Sequence, residues 1–256
     1  MTDVLVTGAA GKMGSMSAAT IAAQEDLRLV ALVDPRGAAG DAPSFPGVAE
    51  ALTLTTPEAA LEFSVPAAVY ENTATLLGAG VPTVVGTTGL GEPQVDELAA
   101  VADAAGVGLV VVPNFALGAV LLMRFAAEAS RYYRHAEVIE MHESGKLDAP
   151  SGTSLRTAKL MAEAPGSSLQ SPPGAGQASR GLVASESVAV HSVRLPGLVA
   201  HQEVIFGGDD EILTLRHDSL SRRSFMSGVL LALRRVTSLQ GTVVGLEALL
   251  DREGTS

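Results

Sequence analysis

The densest run of reactive side chains in this 256-residue chain is Glu140-Met141-His142-Glu143-Ser144-Gly145-Lys146-Leu147-Asp148-Ala149-Pro150-Ser151-Gly152-Thr153. A β-rich stretch delivers His142 to a loop, and Lys146 follows inside that loop. Pro150-Ser151-Gly152-Thr153 then reads as the start of a helix with Ser151 as its N-cap. An ammonium group beside the outward-pointing amides of a helix N-terminus is a receptor for a carboxylate. An imidazole titrates close enough to neutrality to serve as a general acid. A lone histidine at a strand end more often packs or hydrates than reacts, and Ser-Gly-Thr needs no role beyond capping. Their company makes His142 and Lys146 the catalytic candidates, with Lys146, Ser151, Gly152 and Thr153 as substrate-binding candidates.

A second constellation sits at the start of the chain. Gly8-Ala9-Ala10-Gly11-Lys12-Met13-Gly14 follows a strand-like run and opens a helical one. Gly8 permits a tight turn, Gly11 lets the backbone approach a pyrophosphate, and Gly14 allows close helix–strand packing. The spacing is GxxGxxG, a variant of the dinucleotide fingerprint, and is weak alone. Asp34 strengthens it: it ends the second strand about 20 residues further on, where a carboxylate accepts hydrogen bonds from ribose hydroxyls. The cofactor-binding candidates here are Gly8, Ala10, Gly11, Lys12, Met13, Gly14 and Asp34. Asp34 repels a 2′-phosphate and favours NADH, whereas Arg36 could hold that phosphate and Lys12 adds charge. NADH is therefore expected to serve at least as well as NADPH, and use of both stays open.

These groups need elements to position them. Apolar strand-like runs at residues 4–7, 27–33, 52–55, 60–64, 82–86 and 107–112 alternate with helical stretches ending near 24 and covering 66–80 and 92–105. Continuous apolar strands between helices indicate a parallel sheet covered on both faces. After Pro113-Asn114-Phe115 the rhythm changes. A helix over 119–133, a strand over 135–142 and a helix over 153–163 lead into a Pro-, Gly- and Ser-rich loop over 164–181. The β-rich runs 187–194, 198–206 and 211–217 suggest an antiparallel sheet, and a helix over 224–239 closes the chain.

Composition narrows the function. Hydrophobic residues make up 47%, enough for a packed core, while aromatics at 4% and no Trp leave little for stacking bases. A net charge of −11 repels phosphate backbones and argues against a nucleic-acid partner. The absence of Cys excludes disulfides, thiolate metal sites and cysteine nucleophiles. None of His135, His191, His201 and His217 has a spacing partner suited to a metal, and these four read as structural or interfacial. The start MTDVLVTG lacks the basic and apolar regions of a signal peptide. No stretch approaches ~20 apolar residues, so no membrane span and a cytoplasmic location are expected.

Taken together, His142-x-x-x-Lys146-x-Asp148-Ala149-Pro150-Ser151-Gly152-Thr153 and Gly8-Ala9-Ala10-Gly11-Lys12-Met13-Gly14 resemble the dihydrodipicolinate reductase family of diaminopimelate and lysine biosynthesis. The likeness extends along the chain through Gly86-Thr87-Thr88-Gly89, Pro113-Asn114-Phe115, Ser192-Val193-Arg194-Leu195-Pro196-Gly197 and His217-Asp218-Ser219 with Arg222 and Phe225. The resemblance implies an NADH- or NADPH-dependent oxidoreductase that passes hydride to an unsaturated cyclic dicarboxylate and then protonates it. It implies that Gly86, Thr87 and Thr88 line the nicotinamide pocket and that Asn114 and Phe115 form a hinge. His142 would donate the proton, Lys146 would assist and hold the substrate, and Ser151, Gly152 and Thr153 would grip a carboxylate. The implied fold is α/β, a Rossmann-like dinucleotide-binding domain over 1–116 and 221–256. A second, α+β domain over 117–220, on a mixed or antiparallel sheet, would bind substrate and build a homotetramer.

Two departures from the family pattern stand out. Glu143 occupies the substrate-binding position where the family usually has a second histidine, which is electrostatically unfavourable unless Lys146 or another cation offsets it. Glu62-Phe63-Ser64 replaces Asp-Phe-Thr with the chemical types preserved. Glu143 keeps two other readings open: a nucleotide-binding sensor without turnover, and a related reductase with an altered substrate.

Overall fold

The computed structural model describes residues 1–250 apart from 173, 175–176, 178–179 and 185–186. Two compact units result: one runs from Met1 to Phe115 and resumes at Phe225, and the other is continuous from Ala116 to Ser224.

The first unit is built on β1 (Thr2–Thr7), β2 (Leu27–Val33), β3 (Ser44–Phe45), β4 (Ala59–Glu62), β5 (Thr83–Val85), β6 (Gly108–Val111) and β12 (Gly241–Val244). They form one seven-stranded sheet in the order β12-β6-β5-β4-β1-β2-β3, every pair parallel. β1 and β4 are wholly or mostly buried, as strands covered on both faces must be. Helices α2 (Val48–Leu54), α3 (Val69–Gly78) and α4 (Glu92–Ala105) pack on one face through Val48, Ala51, Leu76, Leu77, Val69, Leu98 and Ala102. α1 (Lys12–Ala22) and α7 (Met226–Val236) cover β1, β2 and β4–β6 from the other side. α7 follows a 3-10 turn at Arg222–Phe225, and a short α8 (Glu247–Leu250) packs beside it. This is a Rossmann-like doubly wound fold.

Three features of this unit differ from the sequence reading. Residues 52–55, expected as a strand, belong to α2 and its C-cap. The strand-like run Leu52-Thr53-Leu54-Thr55, with its two β-branched threonines, is overruled by packing: a helix starting after Gly47 buries Val48 and Ala51 and leaves Leu54 at the surface. β3 and β12 had no counterpart in the expected pattern. Residues 251–256, included in the expected first domain, lie outside the described residues.

In the second unit, β7 (His135–His142), β8 (Leu182–Val183), β9 (Ala189–Arg194), β10 (Ala200–Gly208) and β11 (Glu211–Ser219) form a five-stranded sheet ordered β11-β10-β7-β9-β8. β10 pairs antiparallel with β11 and β7, but β9 runs parallel to β7. The sheet is therefore mixed, which departs from the antiparallel arrangement expected for the run at 187–194: the helix and long loop between β7 and β9 permit a parallel return. Ala136, Val138, Val190, Val204 and Phe206 from one face pack on Leu122 and Ala126 of α5 (Leu117–Ala129) and Ala158 and Met161 of α6 (Gly152–Glu163). The expected loop over 164–181 includes 173, 175–176 and 178–179, which lie outside the described residues.

Candidate functional site

In the first unit the dinucleotide candidates gather at the carboxyl ends of the parallel strands. Chain order runs β1, β2, β3 to one side and resumes with β4 on the other, so β1 and β4 flank the topological switch point where such sheets bind ligands. Gly8, directly after β1, has φ 59°, and a Cβ there would lie 2.1 Å from the Phe63 carbonyl oxygen. A Cβ on Gly14 would lie 2.1 Å from the Gly8 carbonyl oxygen, so the first turn of α1 presses on the loop before it. Gly11 is the N-cap of α1, no side chain caps the helix, and its first turn holds no acid. Ala10, Lys12 and Met13 complete this bend, with Ala10 and Lys12 exposed. Such an uncapped helix start behind a glycine bend fits a pyrophosphate.

Asp34, at the end of β2, is buried and fully engaged. Its Oδ2 accepts the Ala10 amide at 3.1 Å, and Arg36 holds the carboxylate bidentately through Nε at 2.9 Å and Nη2 at 3.0 Å. The Arg36 hydrogen bonds outweigh burial and bring the Asp34 pKa down to about 2. Arg36 itself remains mostly exposed.

Beneath the neighbouring strand ends, fully buried Glu62 accepts Thr7 Oγ1 at 2.5 Å, the Ser64 amide at 2.6 Å, Asn72 Nδ2 at 3.1 Å and Thr87 Oγ1 at 3.3 Å. This network ties β1, β4 and α3 to the segment that carries Gly86, Thr87 and Thr88. A Cβ on Gly86 would strike the Phe63 and Phe115 rings at 2.1 and 2.6 Å. Those rings pack edge to face with centroids 5.5 Å apart. Asn114 and Phe115 follow β6, and Phe115 is buried and closes the first stretch of this unit.

In the second unit the reactive candidates gather around the end of β7. Strand alternation puts Glu140 and His142 on the same face, and His142 Nδ1 meets Glu140 Oε2 at 2.5 Å. Arg194 of β9 grips the same carboxylate bidentately, Nη1 to Oε2 at 2.8 Å and Nη2 to Oε1 at 2.7 Å. The Ser151 amide reaches Oε1 at 3.2 Å. Burial alone would raise the Glu140 carboxyl, but hydrogen bonds from Arg194, Ser192 and His142 hold it below the usual range. Burial pushes the His142 imidazole down, against the opposing pull of Glu140 and with help from Lys146 and Arg194.

Ser151 caps α6 as expected, its hydroxyl accepting the Ser154 amide at 3.2 Å, with Gly152 and Thr153 in the first turn. Lys146 Nζ is held by both oxygens of Asp148 at 2.8 and 2.7 Å. Glu143 is exposed, and the cation beside it is Arg222 at 3.6 Å, not Lys146. Of the remaining histidines, His191 meets Glu137 at 2.8 Å and His201 meets Asp218 at 2.6 Å.

Several participants carry no site role in the sequence reading, although it names them: Glu140, Arg194 and Arg222 here, and Glu62 in the first unit. Period-two spacing on β7 could have paired Glu140 with His142; Arg194 and Arg222 become neighbours only through folding.

Comparison with known proteins agrees with this layout. Residues 2–115 match the family model "Dihydrodipicolinate reductase, N-terminus" and residues 118–250 match "Dihydrodipicolinate reductase, C-terminus". The chain is 45% identical to the 4-hydroxy-tetrahydrodipicolinate reductase of Moorella thermoacetica, over 97% of each chain. It is 42% identical to the enzyme of that name from Listeria monocytogenes, covering 97% of this chain and 99% of the relative. A solved structure described as dipicolinate-bound dihydrodipicolinate reductase from Paenisporosarcina sp. TG-14 superposes with a TM-score of 0.87 at 38% identity, covering 97% of this chain and 99% of that one. The chain therefore belongs to the dihydrodipicolinate reductase family.

Proposed function

We propose that this chain reduces 4-hydroxy-tetrahydrodipicolinate, or the dihydrodipicolinate derived from it, with NADH or NADPH in the route to diaminopimelate and lysine. The observation that carries the reading is the grouping of a carboxylate-held imidazole, an ammonium group and a capped helix start around the end of β7. The reductase activity named for the relatives and the dipicolinate of the Paenisporosarcina structure support a cyclic dicarboxylate as substrate.

A bound nicotinamide supplies the hydride. The chain's own residues do the rest: Gly8, Ala10, Gly11, Lys12, Met13 and Gly14 would hold the pyrophosphate, and Asp34 would accept the ribose hydroxyls in place of bonds it now receives from the exposed Arg36 side chain. Gly86, Thr87, Thr88, Asn114 and Phe115 line the nicotinamide end. Lys146, Ser151, Gly152 and Thr153 bind a substrate carboxylate, and His142 delivers the proton. Glu143 lies beside bound substrate, with Arg222 offsetting its charge. That offset weakens the sensor and altered-substrate readings, which need an uncompensated carboxylate there. Arg36 on Asp34 reduces the repulsion of a 2′-phosphate, so NADPH is accepted alongside NADH. A cytoplasmic homotetramer is part of the same reading, on the family resemblance alone.

The test is nucleotide oxidation coupled to enzymatically generated dihydrodipicolinate. Substrate-dependent oxidation of both nucleotides is expected. Binding of NADH and NADPH without any substrate-dependent oxidation would reject the reductase reading.

A further inference from the structure

We propose that Glu140 is the positioning residue for proton transfer at His142, and that Arg194 makes it a joint holding the Lys146 loop and the start of α6 around the imidazole. This rests on the reading of His142 as the proton donor. Glu140 lies on the face of β7 whose earlier members, Ala136 and Val138, are core residues, so an apolar side chain would suit the sheet better. Instead a fully buried carboxylate receives Arg194 Nη1 and His142 Nδ1 at Oε2 and Arg194 Nη2 and the Ser151 amide at Oε1, with Ser192 also donating to it. A buried ion pair contributes little net stability once desolvation is counted, so stability does not explain it.

The bond network explains it better. Arg194 also donates Nε to the Lys146 carbonyl at 3.2 Å, Nη2 to the Asp148 carbonyl at 2.6 Å and Nη1 to the Val193 carbonyl at 2.8 Å. A single pair, its carboxylate buried and its guanidinium half-buried, thus fixes the imidazole, the backbone on both sides of Leu147 and the first residue before α6. A carboxylate paired with arginine is an acceptor only, so the imidazole hydrogen between them belongs to Nδ1. Nε2 is then the nitrogen that exchanges the catalytic proton. The charged groups around the ring are Glu140 from its own strand, Arg194 from β9, and the Lys146–Asp148 pair from the loop, with Glu143 and Arg222 adjacent.

In E140Q one acceptor oxygen must serve all these donors, and the amide NH₂ can donate to Nδ1, releasing the other tautomer. The expected result is a fall in kcat of about 10-fold or more, with NADH affinity unchanged because that site lies in the other unit. Loss of the negative partner also moves the pH at which kcat declines downward by about one unit. E140D restores the midpoint towards that of the parent. Nitrogen NMR of histidine-labelled parent protein, with the His142 signals assigned from H142Q, should show a protonated Nδ1 and a bare Nε2. An Nε2–H tautomer in the parent, or unchanged kcat and midpoint in folded E140Q, overturns the proposal. If the parent oxidises no nucleotide with the dicarboxylate, the functional reading fails while the tautomer measurement still decides this one.

Discussion

The two helix starts proposed as anion receptors are built on opposite plans. α1 begins behind a glycine bend with no side-chain cap and no acid in its first turn, so its pull comes from backbone amides with Lys12 as the one charged side chain. α6 begins at a capped serine whose amide is already given to Glu140, and its surroundings carry His142, Lys146, Arg194 and Asp148. The first plan suits a constant ligand group such as a pyrophosphate, which needs contour more than charge. The second places titratable groups where the proposed proton transfer occurs. Shape sets one site and charge balance the other, so substitutions should damage them differently.

The largest effect is expected where contour leaves no room. Gly8→Ala puts a Cβ against the Phe63 carbonyl at a positive φ and should cost about 3 kcal/mol of stability and weaken nucleotide binding, read by thermal denaturation and calorimetry. Wild-type stability would show that this bend is not sterically fixed. In the other unit, His142→Gln should leave stability nearly intact but lower kcat by about 10²-fold; unchanged turnover would remove the imidazole from proton delivery. Asp34→Asn probes charge inside the contour-built site. With a folded pKa of about 2, Asp34 stabilises the fold above the unfolded value of about 3.9, and that contribution disappears as pH falls through the folded pKa. Because Arg36 is 69% exposed, the expected loss at neutral pH is about 1–2 kcal/mol, vanishing near pH 2; denaturant titrations across that range would detect a loss independent of pH and refute it. The smallest effect belongs to Arg222→Gln, whose exposed 3.6 Å pair with Glu143 should contribute within about 0.5 kcal/mol to stability. Its mark should be a raised KM for the dicarboxylate, and an unaltered KM would dissociate Arg222 from substrate binding.

The same contrast explains what could be read before folding. The bend at Gly8, Gly11 and Gly14, strand Leu27–Val33 and the acid that ends it are contiguous signals, and the spacing of His142, Lys146 and Ser151 exposes the second cluster. What remained hidden is non-local. Glu140 and Arg194 lie 54 residues apart and meet only because β9 runs beside β7 in parallel register. β3 and β8 are two residues long, too short to show a period. Residues 52–55 mislead because two β-branched threonines fall in the last turn and C-cap of a helix whose buried face is set by Val48 and Ala51. Asp34 was visible, but its bidentate arginine two residues on was weighed only as a phosphate ligand.

The order of synthesis follows from β12. This strand pairs with β6 at the edge of the first sheet, and α7 buries Val229, Ala232, Leu233 and Val236, although both are translated more than 100 residues after the strands they complete. The nascent amino-terminal sheet therefore waits, with one flank bare and β6 unpaired on its outer side, while the uninterrupted middle unit can mature as it emerges. A ribosome that stalls near residue 224 would release a chain with a finished insert inside an unfinished host, and the unshielded β6 edge would be its point of aggregation.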